Sequence, residues 1–139
     1  MEPQLRIDYS PIHGLGCYAA APIPSGVRVR EYIGERIPAA EAIRREADTT
    51  RPAIFTLWLD EERAIDGWIG GNESIYINHC CEPNCDWDFE EDRAYIVAVR
   101  DIALDEELTI DYAYDANGPK ERCGCGATAC RGTLNVPAE

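Results

Sequence analysis

Basic side chains are scarce: 13 stand against 26 acidic ones, for a formal charge of −13, and Lys120 is the only lysine beside twelve arginines. A surface so short of cations repels a polyanion on average. Direct nucleic-acid binding is therefore not expected, and a basic protein or peptide is the better-matched partner. The sequence also has no apolar run near the roughly 20 residues that cross a bilayer. Its opening, Met1-Glu2-Pro3-Gln4, has neither a basic segment nor an apolar block behind it. No membrane association is expected, and the protein reads as soluble and intracellular. Internal repeats, a Cys-x-x-Cys pair and a linker long enough to divide the chain are missing as well. The excess of arginine over lysine reads as codon bias and suits a bacterial, cytoplasmic protein, with the nucleus as the eukaryotic alternative. Nothing in the sequence signals an oligomeric state.

What is present is ordinary in bulk and unusual in detail. The 139 residues, 45% hydrophobic and 28% charged, suit one globular domain. Seven cysteines form an odd set that cannot all pair internally. In a reducing compartment, clustered cysteines point to metal or catalysis. Cys123-Gly124-Cys125-Gly126-Ala127-Thr128-Ala129-Cys130 is such a cluster, with glycines that let a short loop turn three thiolates inward. A tetrahedral zinc site needs a fourth ligand, and His79, Cys80, Cys81 and Cys85 are the candidates. The competing readings are buried thiols or a redox pair at Cys80-Cys81. Adjacent cysteines make strained disulfides, which disfavours the pair.

Mostly extended structure is predicted. Val27 to Ile33, Ile54 to Leu59 and Tyr95 to Val99 are short, rich in β-branched or aromatic residues and bounded by turn formers. Cys85 to Phe89 and Arg93 to Arg100 read as a hairpin across Glu90-Glu91-Asp92. Ala39 to Ala47, alanine-rich and following Pro38, reads as a helix. Asp66-Gly67 and Gly70-Gly71-Asn72 mark loops before Ser74 to Asn78, and Asp115 to Glu121 resembles a hinge. The fold class is mainly β with few short helices.

Smaller motifs need a joint explanation. Gly14-Leu15-Gly16 lets backbone approach a ligand, but the third glycine of a dinucleotide fingerprint is missing. Asn78-His79 directly precedes the cysteine pair, and Glu107-Leu108-Thr109-Ile110-Asp111-Tyr112 ends a strand on an aromatic hydroxyl. Taken singly, His79 reads as a hydrogen-bonded structural residue and Tyr112 as half-buried packing.

In order along the chain, these pieces resemble the SET-domain lysine methyltransferases that carry a zinc-binding post-SET tail. His13 to Ala19 is similar to the opening Gly-x-Gly segment, and Glu31-Tyr32-Ile33-Gly34-Glu35 to the next strand. Gly71-Asn72 through Asn78-His79-Cys80-Cys81-Glu82-Pro83-Asn84-Cys85 resembles the central signature, with Cys80 in place of a serine. Glu106 to Tyr112 resembles the last signature, and Cys123 to Leu134 the post-SET Cys-x-Cys-x4-Cys-Arg-Gly-x-Leu.

The resemblance implies a β-clip-like fold of short sheets with a knot-like crossing of the central and last signatures. It implies a SET part over 1–117 and a tail over 118–139. S-adenosylmethionine would bind at Gly14, Leu15, Gly16, Tyr76, Asn78 and His79. Tyr112 would be catalytic, with Tyr32 lining a lysine channel, and Cys81 would join Cys123, Cys125 and Cys130 around Zn²⁺. The implied activity is methyl transfer to the ε-amine of a lysine in a basic protein, whether histone, histone-like or ribosomal. The alternative is a feeble or inactive zinc-stabilised binding module. Three residues depart from the pattern: Ile75 where arginine is common, Phe55 where a channel tyrosine is frequent, and Ile110 where the family places Phe or Tyr. An aliphatic Ile110 points to di- or trimethylation.

Overall fold

The computed structural model describes residues 2–113 and 123–136. Strands β1 (Leu5–Tyr9), β2 (Leu15–Ala19), β3 (Arg28–Glu31) and β4 (Glu35–Pro38) lead into helix α1 (Ala39–Glu46). Then follow β5 (Thr56–Trp58), β6 (Arg63–Asp66), a 3₁₀ turn (Glu73–Tyr76), β7 (Asn78–His79), β8 (Cys85–Glu90), β9 (Arg93–Ala98) and β10 (Thr109–Ile110). The architecture is mainly β, as expected. The hinge read at Asp115 to Glu121 and the boundary between 117 and 118 lie outside the described residues.

The strands pair in small sheets. β1 and β2 form a hairpin; β3, β9 and β8 form one antiparallel sheet in that order, and β4, β6 and β5 another. β9 shows the physical basis of the larger core. Ala94, Ile96 and Ala98 point inward while Arg93, Tyr95 and Val97 alternate with them toward the other face. With Val29, Ile23, Ile102, Leu108 and Ile110, Ile96 is almost completely withdrawn from water. Each such side chain contributes about 1.5–3 kcal/mol. The predicted hairpin forms, with Glu90 opposite Arg93 and a two-residue turn that puts Glu91 at φ +55°.

Helix α1 starts directly after Pro38, with Glu41 in its first turn and Arg44 and Arg45 in its last, matching the helix dipole. It buries Ala42 against Ile37 and Ala64. An ionic node fixes it to β6. Asp66, fully buried, accepts from Arg45 at 2.8 Å, from Arg51 at 2.9 Å and from the Trp68 N–H at 3.0 Å. Burial alone would raise this carboxyl, but those bonds outweigh it and hold it below its ordinary value.

The expected strands are trimmed where turns intervene. Gly26, at φ +89°, turns the chain just before the first, which runs over Arg28–Glu31 and carries an irregularity between Arg28 and Arg30. β1, β2, β4 and β6 were not expected: Glu35–Pro38 and Arg63–Asp66 are too short to show a period, whereas Leu5-Arg6-Ile7-Asp8-Tyr9 does alternate apolar and charged residues and carried a readable strand signal. The pairing that matters most for the site is the smallest. β7 and β10 run parallel, with Thr109 opposite Asn78 and Ile110 opposite His79, and the Cys80 N–H continues the ladder to Ile110 O at 3.1 Å. The central and last sequence signatures thus lie side by side.

Candidate active site

Asn84 fastens the two signatures together just beyond that pair. It is buried, its Oδ1 accepts the Thr109 N–H at 2.9 Å, and its Nδ2 donates to Glu107 O at 2.8 Å. The chain leaving β10 is thereby carried past His79 to Tyr112. The Tyr112 N–H donates to His79 Nδ1 at 3.0 Å, and its hydroxyl donates to Ile77 O at 2.7 Å.

Tyr112 stands between two cavities. The smaller, about 60 Å³, is walled by Tyr32, Phe55, Trp87, Ile96 and Ile110 together with Tyr112. The larger, about 880 Å³, takes in Gly14, Leu15, Tyr76, Asn78, His79 and again Tyr112. Ile54, Phe55 and Ile75 also belong to both, so the spaces adjoin at this phenol. A volume of that size is within the ~300–1,000 Å³ of small-molecule sites.

Tyr32 stands in the small cavity, where its hydroxyl donates to Phe55 O at 2.7 Å and its ring meets Trp87 edge-on at 5.7 Å. The Phe55 ring stacks on Trp68 at 4.8 Å, leaving only its backbone oxygen to serve Tyr32. Gly16 is the one expected cofactor residue away from the large cavity. It lies against Ser10 and Glu107, where an added Cβ would collide with the Glu107 carboxylate. That carboxylate accepts from Ser10 Oγ at 2.7 Å and from Asn78 Nδ2 at 3.0 Å, and the same Nδ2 donates to the carbonyls of His13 and Leu15 at 3.1 Å. Glu107 and Asn78 thus hold the Gly14 loop beside the cavity. The sequence motif contains Glu107 but carries no sign of this contact.

Four thiols, Cys81, Cys123, Cys125 and Cys130, lie within 4.8 Å of one another, with Cys81 and Cys123 sulfurs 3.8 Å apart. A tetrahedral zinc with Zn–S near 2.3 Å would space its sulfurs at about 3.8 Å, so the set fits that ion. The other candidates for the fourth position stand outside this set, although His79 and Cys80 border it. Cys85 is sealed in the core, where burial pushes its thiol up to about 12. Cys80 Sγ accepts from the Glu82 N–H at 3.4 Å. Burial works against ionisation of Cys125, but N–H donors from Cys81 and Ala127, with the neighbouring thiols, pull it down to about 6.

His79 stands beside this set, with Nε2 3.4 Å from Cys81 Sγ. Because Nδ1 accepts the Tyr112 N–H, the ring proton belongs on Nε2, which donates to the sulfur. Burial, first, and the Arg131 charge hold the imidazole neutral against the pull of Asp111. Two residues outside the expected set complete the corner. Arg131 grips Asp111 with Nη1 to Oδ2 at 2.8 Å and Nη2 to Oδ1 at 3.1 Å. Arg131 follows the last cysteine and Asp111 precedes Tyr112, so only the adjoining motifs could have drawn attention to them.

Comparison with known proteins places this geometry. A profile described as "SET domain" matches residues 14–113. "Histone-lysine N-methyltransferase, H3 lysine-4 specific" from Yarrowia lipolytica is 39% identical over 135 residues, covering 91% of this chain and 12% of that protein. "Histone-lysine N-methyltransferase trr" from Drosophila melanogaster is 37% identical over 134 residues, covering 91% and 6%. The chain therefore spans a small part of the length of these relatives. Among solved structures, the polycomb repressive complex 2 of Chaetomium thermophilum superposes with a TM-score of 0.72 at 31% identity, over 81% of this chain and 15% of that one.

Proposed function

The chain belongs to the SET-domain family, and from that premise we propose that it is a protein-lysine methyltransferase acting on a basic protein of the histone class. The observation that carries the reading is Tyr112 at the junction of the two cavities, its backbone tied to His79 and its hydroxyl to Ile77 O. In this reading S-adenosylmethionine occupies the larger cavity beside Gly14, Leu15, Tyr76, Asn78 and His79, with Gly16 contributing through its packing on Glu107. When bound, that cofactor would supply an electrophilic methyl group on a sulfonium.

The residues of the chain then do three things. Tyr32, Phe55, Trp87 and Ile110 wall the small, largely apolar cavity, which in this reading takes the alkyl chain of the substrate lysine. Such walls disfavour an ammonium, so the incoming ε-amine gives its proton to water and arrives neutral, and no side chain is assigned as base. Tyr112 orients the amine where the cavities meet. Alignment of this kind supplies roughly 7–11 kcal/mol in well-oriented reactions, so no covalent intermediate is called for. Ile110 offers no hydroxyl to pin a water beside the amine, which favours di- or trimethylation. Cys81, Cys123, Cys125 and Cys130 would hold Zn²⁺, worth on the order of 10 kcal/mol to the order of the tail, here taken as 118–139 after a SET part of 1–117.

The excess of acidic side chains suits a cationic substrate. The relatives named for histone H3 lysine-4 support a histone tail as first candidate, and a histone substrate implies residence with chromatin. The test is incubation with labelled S-adenosylmethionine and a panel of basic proteins, followed by mass spectrometry to locate the modified lysine. Tyr112→Phe should cut transfer about a hundredfold, in the range of a lost orienting group, while cofactor affinity changes little. Wild-type turnover in that variant would remove the assignment. An absence of cofactor binding in calorimetry would favour the non-catalytic module, the reading to which Ile75 and Phe55 lend support.

A further inference from the structure

Two hydrogen-bonded routes leave one sulfur and reach the backbone on either side of Tyr112. On the first, Cys81 Sγ accepts from His79 Nε2 at 3.4 Å, and His79 Nδ1 accepts the Tyr112 N–H at 3.0 Å. On the second, the same sulfur accepts the Arg131 N–H at 3.3 Å, the Arg131 guanidinium grips Asp111 with two bonds, and Asp111 Oδ1 accepts the Ala113 N–H at 2.8 Å. We propose that Arg131 and Asp111 are positioning residues that couple loading of the four-thiol metal site to the placement of Tyr112. The proposal rests on reading Tyr112 as catalytic.

Three details favour a positioning device over simple attachment of the tail. Ala113 has φ +52°, a left-handed conformation that side-chain-bearing residues avoid and that persists only where surroundings impose it. Asp111 Oδ1 holds the N–H of this residue, and Arg131 holds Asp111. The grip is a two-pronged one for which the planar guanidinium is shaped and an ammonium is not. It also leaves Arg131 Nε buried with no hydrogen-bond partner among the described residues, a cost that attachment alone would not require. Finally, Arg131 Nη2 donates to Leu134 O at 3.1 Å, and Leu134 belongs to the wall of the larger cavity. One guanidinium thus ties the cavity wall to the backbone of residues 111–113 around Tyr112. Metal held by Cys81, Cys123, Cys125 and Cys130 would fix Cys81 Sγ in space, and with it the common origin of both routes.

The experiment compares zinc-loaded full-length protein with Asp111→Asn, Arg131→Ala and Arg131→Lys. Metal content, amide hydrogen exchange by NMR, and kcat and KM are read on each. All variants are expected to retain one zinc per chain. The Tyr112 and Ala113 amides should exchange at least about tenfold faster, a factor one lost hydrogen bond supplies, while the Cys80 and Leu108 amides keep their protection. kcat should fall about tenfold or more with both KM values nearly unchanged, and Arg131→Lys should not rescue. Unchanged exchange at Tyr112 and Ala113 with zinc bound would overturn the proposal. So would loss of zinc in proportion to activity, which would mark the pair as structural only. Because exchange and metal content do not depend on turnover, an inactive wild-type protein would defeat the methyltransferase reading and still leave the coupling decided. Should Arg131→Ala fail to fold, the near-isosteric Asp111→Asn carries the test.

Discussion

Replacing Gly16 by alanine tests how the Gly14 loop is held. Gly16 is buried in β2 and its φ lies outside the left-handed region, so the added methyl brings no backbone strain. Its effect is steric. The new Cβ would sit 2.9 Å from Ser10 Cβ and 3.0 Å from Glu107 Cδ, and nearer still to Glu107 Oε2. Real Cβ atoms do not approach so closely, so the Glu107 carboxylate must swing away. It would then lose the donors Ser10 Oγ, at 2.7 Å, and Asn78 Nδ2, at 3.0 Å. Hydrogen bonds to a charged group are worth about 1.5–3 kcal/mol each, and water recovers part because Glu107 is half-exposed. The restricted unfolded chain returns about 0.4–1 kcal/mol. A net loss of about 2 kcal/mol follows, or about 1 M in urea midpoint. Urea titration followed by tryptophan fluorescence measures it. The steric cause predicts coupling: in a Glu107→Ala background two of the three clashes vanish, and Gly16→Ala should cost at least about 1 kcal/mol less. A Gly16→Ala protein as stable as wild type, or additive energies in the double variant, would refute the reasoning.

The remaining predictions concern charge, product and metal. Asp66 has its folded pKa below the unfolded value of about 3.9, so its contribution is complete above that pH and is lost as pH falls through the lower folded value. Asp66→Asn should therefore lower the urea midpoint clearly at pH 6, with a deficit that shrinks as the pH falls below about 3.9, and a deficit that stays constant through acid would contradict the assignment. Ile110→Tyr should shift the product toward monomethyl-lysine in intact-mass spectra of the substrate, because it adds bulk and a hydroxyl to the small cavity. A strong zinc chelator should abolish turnover while leaving the far-ultraviolet circular dichroism of the β core largely intact, since metal binding and ordering of the tail are one equilibrium. Full activity in the chelated protein would show the tail to be dispensable.

Legibility in the sequence followed the range of the interactions. The helix after Pro38 and the hairpin around Glu91 are set by neighbours a few residues apart, and both are where local pattern puts them. The pairing of β7 with β10 joins residues about thirty apart through two positions each, too few to leave any periodicity. The same holds for Asp66, whose partners are Arg45 on α1 and Arg51 in the loop that follows it. Among the sulfurs, the spacing of Cys123, Cys125 and Cys130 was readable as a ligand set because glycines and short intervals force proximity. The choice among His79, Cys80, Cys81 and Cys85 was not, because adjacent residues differ in direction and spacing alone carries no direction. Glu107 was invisible for a related reason: its carboxylate meets Gly16 and Asn78 through the fold, and its acidic character suggests only solvent exposure.

Burial of Cys17 and Cys85 determines how the protein will respond to electrophilic dyes. Both thiols are pushed up to about 12 and closed off by their apolar surroundings, so neither presents a thiolate at neutral pH. Were an ion held by Cys81, Cys123, Cys125 and Cys130, Cys80 would be left as the slow but single natural attachment point, and a fluorophore placed there would report on the tail without any engineered residue.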